Sequence, residues 1–140
     1  MNKYMKIAFK EAKKANNSDE IPVGAVIVKD GKIISKAYNK KNKTNRTIDH
    51  AEILAIIKAN KKLNNWRLDG CEIYITLEPC PMCASAIEQS RISKIYTSAT
   101  NLNDNYKSIS NKILKDIKWC KNIDSENSEK LIKDFFKKKR

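Results

Sequence analysis

The sequence predicts an α/β fold in which one domain, residues 1–140, packs a mixed sheet between helices as a three-layer α/β/α sandwich. Segments with helical spacing alternate along the chain with short apolar segments typical of strands. Hydrophobic residues make up 41% of the chain, which is enough for a core, and 140 residues suit one domain of the usual size. We find no Pro/Gly/Ser-rich linker and no internal repeat that would divide the sequence.

The N-terminal part predicts a helix, a β-hairpin and a loop. Residues 2–15 place apolar side chains at helical spacing, and Gly24–Lys29 and Lys32–Tyr38 are rich in strand-forming residues. Between these two strands, Asp30-Gly31 is a strong signal for a two-residue hairpin turn. Residues 39–48 are polar and basic, and they predict a loop.

The central part predicts two helices, each followed by a strand. Ala51–Leu63 has a broad apolar face, and residues 72–77 have the apolar character of a buried strand. Pro81–Gln89 predicts a helix that begins with proline, at a position where the missing N–H costs nothing. Residues 94–97 predict a further strand.

The C-terminal part has weaker signals. Residues 98–111 are polar and show no clear period. We expect a short helix near residues 110–115 and a strand near residues 117–120. Ser125–Lys138 predicts a terminal helix that Ser125 caps.

The charge of the chain is strongly positive, because 29 Lys and Arg face 16 Asp and Glu and give a net charge of +13. This excess favours a polyanionic partner such as nucleic acid, although a compositional bias toward lysine would give the same charge. The longest apolar run, residues 21–28, is much shorter than the roughly 18–20 residues of a membrane helix. Residues 1–17 lack the apolar core of a secretory signal, so we expect a cytoplasmic protein with no membrane segment.

One histidine and two cysteines form the most informative pattern in the sequence. His50 precedes one predicted helix, and Cys80 and Cys83 lie at the start of another. Three residues apart on a helix, the cysteines share a face, and the helix N-terminus favours their thiolates. With His50 they supply three ligands and leave a fourth tetrahedral position for water, which is typical of a catalytic zinc site.

Glu52 lies two residues after His50, and on a helix this spacing turns the two side chains to different faces. We therefore predict that Glu52 acts beside the metal and not as a ligand. It would move protons between the metal-bound water, a ring nitrogen and a leaving amine. The whole set indicates hydrolytic deamination of an aromatic amine.

Three other interpretations stay open at this point. Cys80 and Cys83 also match a thioredoxin-like redox pair, although the histidine then has no role. A structural zinc site would need Cys71 or Cys120 as a fourth ligand, but their apolar strand surroundings favour buried thiols that pack as small hydrophobes. In the third interpretation no metal binds.

At these residues the sequence resembles the zinc-dependent nucleobase deaminases, whose signature is His-x-Glu followed by Pro-Cys-x-x-Cys. Longer matches at residues 21–28, 74–84, 90–92 and 134–136 resemble the bacterial tRNA-specific adenosine deaminases of the cytidine/deoxycytidylate deaminase superfamily. The resemblance implies a cytidine-deaminase-like fold with a five-stranded mixed sheet and one zinc ion per subunit. It also implies a homodimer that binds the tRNA anticodon stem-loop and converts the wobble adenosine to inosine with a zinc-activated water.

The resemblance also implies roles for individual residues. The implied zinc ligands are His50, Cys80 and Cys83. Glu52 would be the proton shuttle, and Asn39 would contact the target nucleoside. Phe136 would lie near the RNA, whereas Phe135 fits packing of the last helix onto the core equally well.

Two segments depart from the family pattern. In residues 98–105 the family glycines are absent, and Asn101 stands where the family has an aspartate that meets the substrate backbone. Asn101 is still predicted to bind substrate, because an amide can hydrogen-bond a ribose hydroxyl. Residues 47–49 are Thr-Ile-Asp, where the family often has Pro-Thr-Ala.

The altered segment 98–105 motivates two further hypotheses. One is a zinc-dependent deaminase of a free nucleobase or nucleoside, of the cytosine or guanine type. The other is a zinc-bearing RNA-binding protein without catalysis. If RNA binds, we expect the basic residues in 36–46 and 137–140 to contribute most of the electrostatic attraction.

Overall fold

The computed structural model describes residues 2–138, and these residues form a sheet between two layers of helices. The elements follow one another as α1 (Lys3–Asn17), β1 (Gly24–Lys29), β2 (Lys32–Tyr38), α2 (Lys41–Thr44), α3 (Ala51–Leu63), β3 (Cys71–Leu77), α4 (Pro81–Gln89), β4 (Lys94–Ala99), α5 (Asp104–Ile113), β5 (Lys118–Cys120) and α6 (Ser125–Lys138).

The five strands form one mixed sheet in the order β2-β1-β3-β4-β5. β1 pairs antiparallel with β2 and β3, whereas β3, β4 and β5 run parallel. Parallel neighbours need crossover connections, which contain α4 and α5. The β1–β2 turn has positive φ at Asp30 (50°) and Gly31 (73°), as a type I′ turn requires. The predicted α/β class with a five-stranded mixed sheet is confirmed.

Alternate side chains of the central strands face the two helical layers. Ile27 and Ile75 pack into the core formed with α3 and α4. Val26 lies on the opposite face of the sheet and packs with Met5 and Ala8 of α1. α6 lies on the same side as α1, against β4 and β3. Successive side chains of a strand point to opposite faces of the sheet, and both faces are covered by helices here.

Two segments differ from the sequence-based expectation. α2 lies within residues 39–48, which were predicted as loop, and none of its residues is buried, so no apolar spacing indicated a helix. α5 spans Asp104–Ile113 and not the predicted 110–115. It begins early because the Asn103 side chain caps it, accepting the N–H of Tyr106 at 3.1 Å. Ser110 is the one buried residue of α5, so its apolar period is weak.

Two further expectations concern the basic residues at the C-terminus and the absence of a membrane segment. Of the basic cluster 137–140, Lys137 and Lys138 are exposed at the end of α6, and residues 139–140 lie outside the described residues. Within residues 2–138, no helix combines the length and apolar character needed to cross a bilayer.

The start of β1 lies directly against α1. A Cβ atom added to Gly24 would overlap the carbonyl oxygen of Ala8 and lie 2.6 Å from the backbone nitrogen of Ala12. The Gly24 N–H also donates to the Thr76 hydroxyl at 3.0 Å. Gly24 is therefore required by the close approach of helix and strand.

We expect Gly24→Ala to lower the free energy of unfolding by about 1–3 kcal/mol or more, because the backbone of α1 must move. Urea unfolding followed by circular dichroism measures this change. Gly31→Asn is the control: asparagine tolerates positive φ, and a Cβ there meets nothing within 4 Å. We expect the control to cost less than about 1 kcal/mol. Equal losses in the two variants would contradict the proposed packing of α1 on β1.

Candidate functional site

Two helix N-termini carry the predicted metal ligands. His50 is the N-cap of α3 and Cys80 is the N-cap of α4, and both have extended backbone. Neither side chain makes the capping hydrogen bond of a typical N-cap, so each is available to a metal ion. Cys83 lies one turn beyond Cys80 on α4, and Pro81 is the first residue of that helix.

The structure brings the three predicted ligands together. His50 Nδ1 lies 3.5 Å from Cys83 Sγ and 3.7 Å from Cys80 Sγ. All three donor atoms lie within 4.8 Å of one another and could hold a metal ion. His50, Cys80 and Cys83 are called the donor group below. Tetrahedral zinc with bonds of about 2.1 Å to nitrogen and about 2.3 Å to sulfur needs nitrogen–sulfur separations of about 3.6 Å. The donor types and their spacing therefore fit zinc.

The two cysteines of this group differ in acidity. A hydrogen bond with Cys83, followed by one with His50, lowers the pKa of Cys80 to about 4. The hydrogen bond to Cys80, together with burial, raises the pKa of Cys83 far above its usual range. Because sulfur ligates a metal as thiolate, an ion must displace the Cys83 proton, and its binding depends on pH.

Glu52 lies in the first turn of α3 and is only 4% exposed. Within residues 2–138 it does not belong to the donor group, as its spacing from His50 predicts. Burial raises the pKa of its carboxyl group, because removal from water disfavours the charged form. Glu52 lines the same cavity as His50 and Cys80, so it can exchange protons with a ligand held there.

One cavity of about 840 Å³ joins the donor group to the residues predicted to bind substrate. This volume is in the range of small-molecule and cofactor sites. Asn39, Asn101 and Phe136 all line the cavity. Phe136 is 47% exposed, whereas Phe135 is 8% exposed and touches Phe136 edge to face. Phe136 is therefore accessible to a ligand, and Phe135 packs inward.

The two cavity asparagines are held in similar ways by backbone groups. Asn39 donates to the carbonyl of Ile21 at 3.2 Å and accepts the N–H of Lys41 at 3.1 Å. Asn101 likewise makes one bond through its Nδ2 and one through its Oδ1, at 3.3 and 2.9 Å. Each amide keeps one hydrogen and one lone pair beyond these bonds, which a ligand can use.

Two buried carboxylates hold the segment that leads to His50, and sequence reasoning assigned neither a role. Glu20 accepts two backbone N–H groups from α2, at 2.9 and 2.6 Å. Asp49 is 1% exposed and pairs with Arg46 at 2.7 Å. A hydrogen bond with Thr44, and then Arg46, holds the pKa of Asp49 below its usual range. Asp49 was visible in the sequence as a departure from the family pattern, but Glu20 had no spacing signal.

The other two cysteines lie apart from the donor group. Among the described residues, the group able to hold a metal contains neither Cys71 nor Cys120. Cys71 is fully buried, and burial raises the pKa of its thiol. A structural site with four protein ligands therefore has no fourth cysteine in this part of the chain.

Known sequences match this chain along most of its length. The sequence model of the cytidine and deoxycytidylate deaminase zinc-binding region matches residues 1–99. A tRNA-specific adenosine deaminase from Aquifex aeolicus is 43% identical over 144 residues, covering 98% of this chain and 94% of that protein. A protein of the same name from Bacillus subtilis is 53% identical over 92 residues, covering 66% of this chain and 57% of that protein.

Solved structures match the fold. A structure from work on A-to-I editing by tRNA:A34 deaminases at the wobble position of transfer RNA has a TM-score of 0.85 and 32% identity. The superposed region covers 91% of this chain and 97% of the chain in that structure. A guanine deaminase from Bacillus subtilis has a TM-score of 0.69 and 38% identity, covering 78% of this chain and 71% of its own.

We expect His50→Ala and Cys83→Ser each to reduce the zinc content of the purified protein from about one ion per chain to a small fraction, because two donors hold the ion weakly. Elemental mass spectrometry measures the content. Cys71→Ser and Cys120→Ser are the matched controls, and both should keep their zinc. Full zinc content in Cys83→Ser would show that the ion is bound elsewhere.

Proposed function

The chain belongs to the family of the cytidine and deoxycytidylate deaminase zinc-binding region, and on that basis we propose that it converts the wobble adenosine of a tRNA anticodon to inosine. The proposal rests on the Aquifex aeolicus relative named tRNA-specific adenosine deaminase, whose alignment covers 98% of this chain and 94% of that protein, and on the similarity to the tRNA:A34 deaminase structure. The site supports it, because the donor group, a buried carboxylate and a nucleoside-sized cavity occur together. We place the reaction in a single zinc-dependent deaminase domain, residues 1–140.

The chemical roles follow from the positions of the residues. His50, Cys80 and Cys83 would hold the zinc ion, which when bound lowers the pKa of a water molecule toward neutrality. Glu52 would accept the proton of the attacking water and deliver it to a ring nitrogen. It would then accept the second proton, from the hydroxyl now bonded to the ring carbon, and pass it to the amine, which leaves as ammonia while the carbonyl of inosine forms. Water and adenosine thus give inosine and ammonia, with no oxidant or reductant.

Substrate binding would use the polar and aromatic groups of the cavity wall. Asn39 and Asn101 each keep a free hydrogen and lone pair, which suit ribose hydroxyls and base edges. Phe136 is exposed at the cavity and offers a flat face for stacking on a base. These residues would hold an adenosine that has left the anticodon stack.

The wider partner is proposed to be the tRNA anticodon stem-loop. Lys41 and Lys133 line the cavity, and the exposed lysines of residues 36–46 lie beside Asn39, where they would attract phosphates. We further propose a homodimer in the cytoplasm. Exposed apolar side chains outside the cavity, such as Trp66, which is 60% exposed, would be buried at an interface between two subunits. A monomer in sedimentation equilibrium would exclude the dimer.

A second candidate is a deaminase of free guanine. The 38% identity to a solved guanine deaminase favours it, although the TM-score of 0.69 is lower than the 0.85 for the tRNA:A34 deaminase structure. Incubation with a tRNA that carries an unmodified ACG anticodon, followed by sequencing, detects inosine as A-to-G changes. Ammonia release from guanine without any inosine in the tRNA would replace the first proposal with the second.

We expect Glu52→Gln to keep its zinc and to lose at least about 100-fold in inosine formation, because the amide cannot carry the proton. The sequencing assay measures the rate, and elemental analysis measures the metal. Glu88→Gln, on α4 and not among the residues lining the cavity, is the control and should remain active. A fully active Glu52→Gln protein would rule out this proton-transfer role.

A further inference from the structure

Glu78 is a buried carboxylate between the end of β3 and the first cysteine of the donor group. It is 4% exposed and lies two residues before Cys80, yet within residues 2–138 it does not belong to the donor group. Its backbone N–H donates at 2.9 Å to the carbonyl of Ala99, the β4 residue that pairs with Leu77 at the end of β3. A carboxylate buried to this degree requires polar partners.

The carboxylate of Glu78 has one partner on each oxygen. Oε1 accepts the backbone N–H of Asn101 at 3.0 Å, and Oε2 lies 3.9 Å from Lys121 Nζ. Lys121 Nζ in turn donates to Asn111 Oδ1 of α5 at 2.7 Å. The carboxylate thereby connects the end of β3 to the loop after β4 and, through Lys121, to α5.

Two asparagines and a serine close the connection into a ring. Asn101 Oδ1 accepts the N–H of Asn103 at 2.9 Å, and Asn103 Oδ1 accepts the N–H of Tyr106 in the first turn of α5. Farther along α5, the buried Ser110 hydroxyl donates to the carbonyl of Pro79 at 2.8 Å. The chain of contacts returns to the residue next to the one where it began.

We propose that Glu78 is a positioning residue that fixes one wall of the cavity relative to the start of α4. The ring of contacts through Glu78, Asn101, Asn103, Ser110 and Lys121 is called the Glu78 clamp below. Residues 101–103 and Tyr106 line the cavity together with Cys80, so the clamp sets the separation between this wall and the donor group. The inference deepens the proposed function, on which its kinetic consequences rest, and concerns the fit of substrate and not the proton transfer.

The clamp depends mainly on an acceptor and less on the charge. A glutamine at position 78 keeps an oxygen for the Asn101 N–H and loses the 3.9 Å ion pair, which is weak because the Lys121 side chain is 34% exposed. An alanine removes the acceptor and leaves the Asn101 N–H without its partner. Glu78→Gln should therefore keep the contact that holds Asn101 in place, whereas Glu78→Ala removes it.

Glu72→Ala is a matched control on the same strand. The Glu72 carboxylate is half-buried on β3 and accepts the Tyr96 hydroxyl at 3.1 Å. It is not among the residues that line the cavity. Removing it takes away one hydrogen-bonded carboxylate of β3 without touching the clamp.

Hydrogen exchange of the zinc-loaded full chain tests the clamp without any substrate. We expect exchange of the Asn101 amide and of residues 102–106 to rise at least about tenfold in Glu78→Ala, and to stay within about twofold of wild type in Glu78→Gln and Glu72→Ala. Zinc content should be unchanged in all three. An unchanged exchange rate at Asn101 in Glu78→Ala would overturn the proposal.

Kinetics on an anticodon stem-loop separate positioning from chemistry. We expect Glu78→Ala to raise KM about tenfold with kcat within about threefold of wild type, because a displaced wall weakens binding throughout the reaction. Glu78→Gln should restore KM to within about twofold of the wild-type value. A loss confined to kcat, or an equal rise of KM in Glu72→Ala, would overturn the positioning role.

A further variant covers a failure of Glu78→Ala to fold. Asn103→Ala opens the ring at α5 and should raise both KM and exchange across residues 101–106; wild-type behaviour of this variant would overturn the clamp. Wild-type protein that forms no inosine but shows the expected exchange pattern would overturn the proposed function and support the clamp. Inosine formation with an unaltered pattern in the variants would overturn the clamp alone.

Discussion

The meeting of two helix N-termini at one end of the sheet is the constraint on which the rest of the molecule depends. His50 Nδ1 lies 3.5 Å from Cys83 Sγ because α3 and α4 pack side by side on the same face of the sheet. Alanines at 51, 55 and 84 are fully buried in that core and let the helices approach closely. The two N-cap side chains make no capping bond, and together with Cys83 they form the donor group.

Buried acids support this junction in different ways. Asp49 and Glu78 each lie within two residues of a predicted ligand, and each has a basic partner or a backbone N–H. They fix the turns from which His50 and Cys80 project. Glu52 differs, because burial raises its pKa whereas hydrogen bonding lowers that of Asp49. Asp49 and Glu78, which have fixed partners, thus hold the backbone in position. Glu52, beside the donor atoms, is the carboxyl group suited to proton transfer.

Local patterns made most of the fold and the donor group predictable from the sequence. The Asp30-Gly31 turn, the strand periods and the proline at the start of α4 depend on neighbouring residues, and the structure has them where they were predicted. The long α5 and the role of Glu78 were missed because they depend on contacts between distant residues. The bond from Ser110 to Pro79 spans 31 positions, and no period or motif encodes it. The sequence also could not tell which nitrogen of His50 faces the sulfur atoms.

X-ray absorption at the zinc edge of the purified protein tests the arrangement of the donor group most directly. One imidazole nitrogen and two thiolates at the start of α4 predict two sulfur neighbours at about 2.3 Å. The remaining neighbours should be nitrogen or oxygen at about 2.0–2.1 Å, one of them an imidazole. Four sulfur neighbours, or a shell without sulfur, would contradict a site made by His50, Cys80 and Cys83.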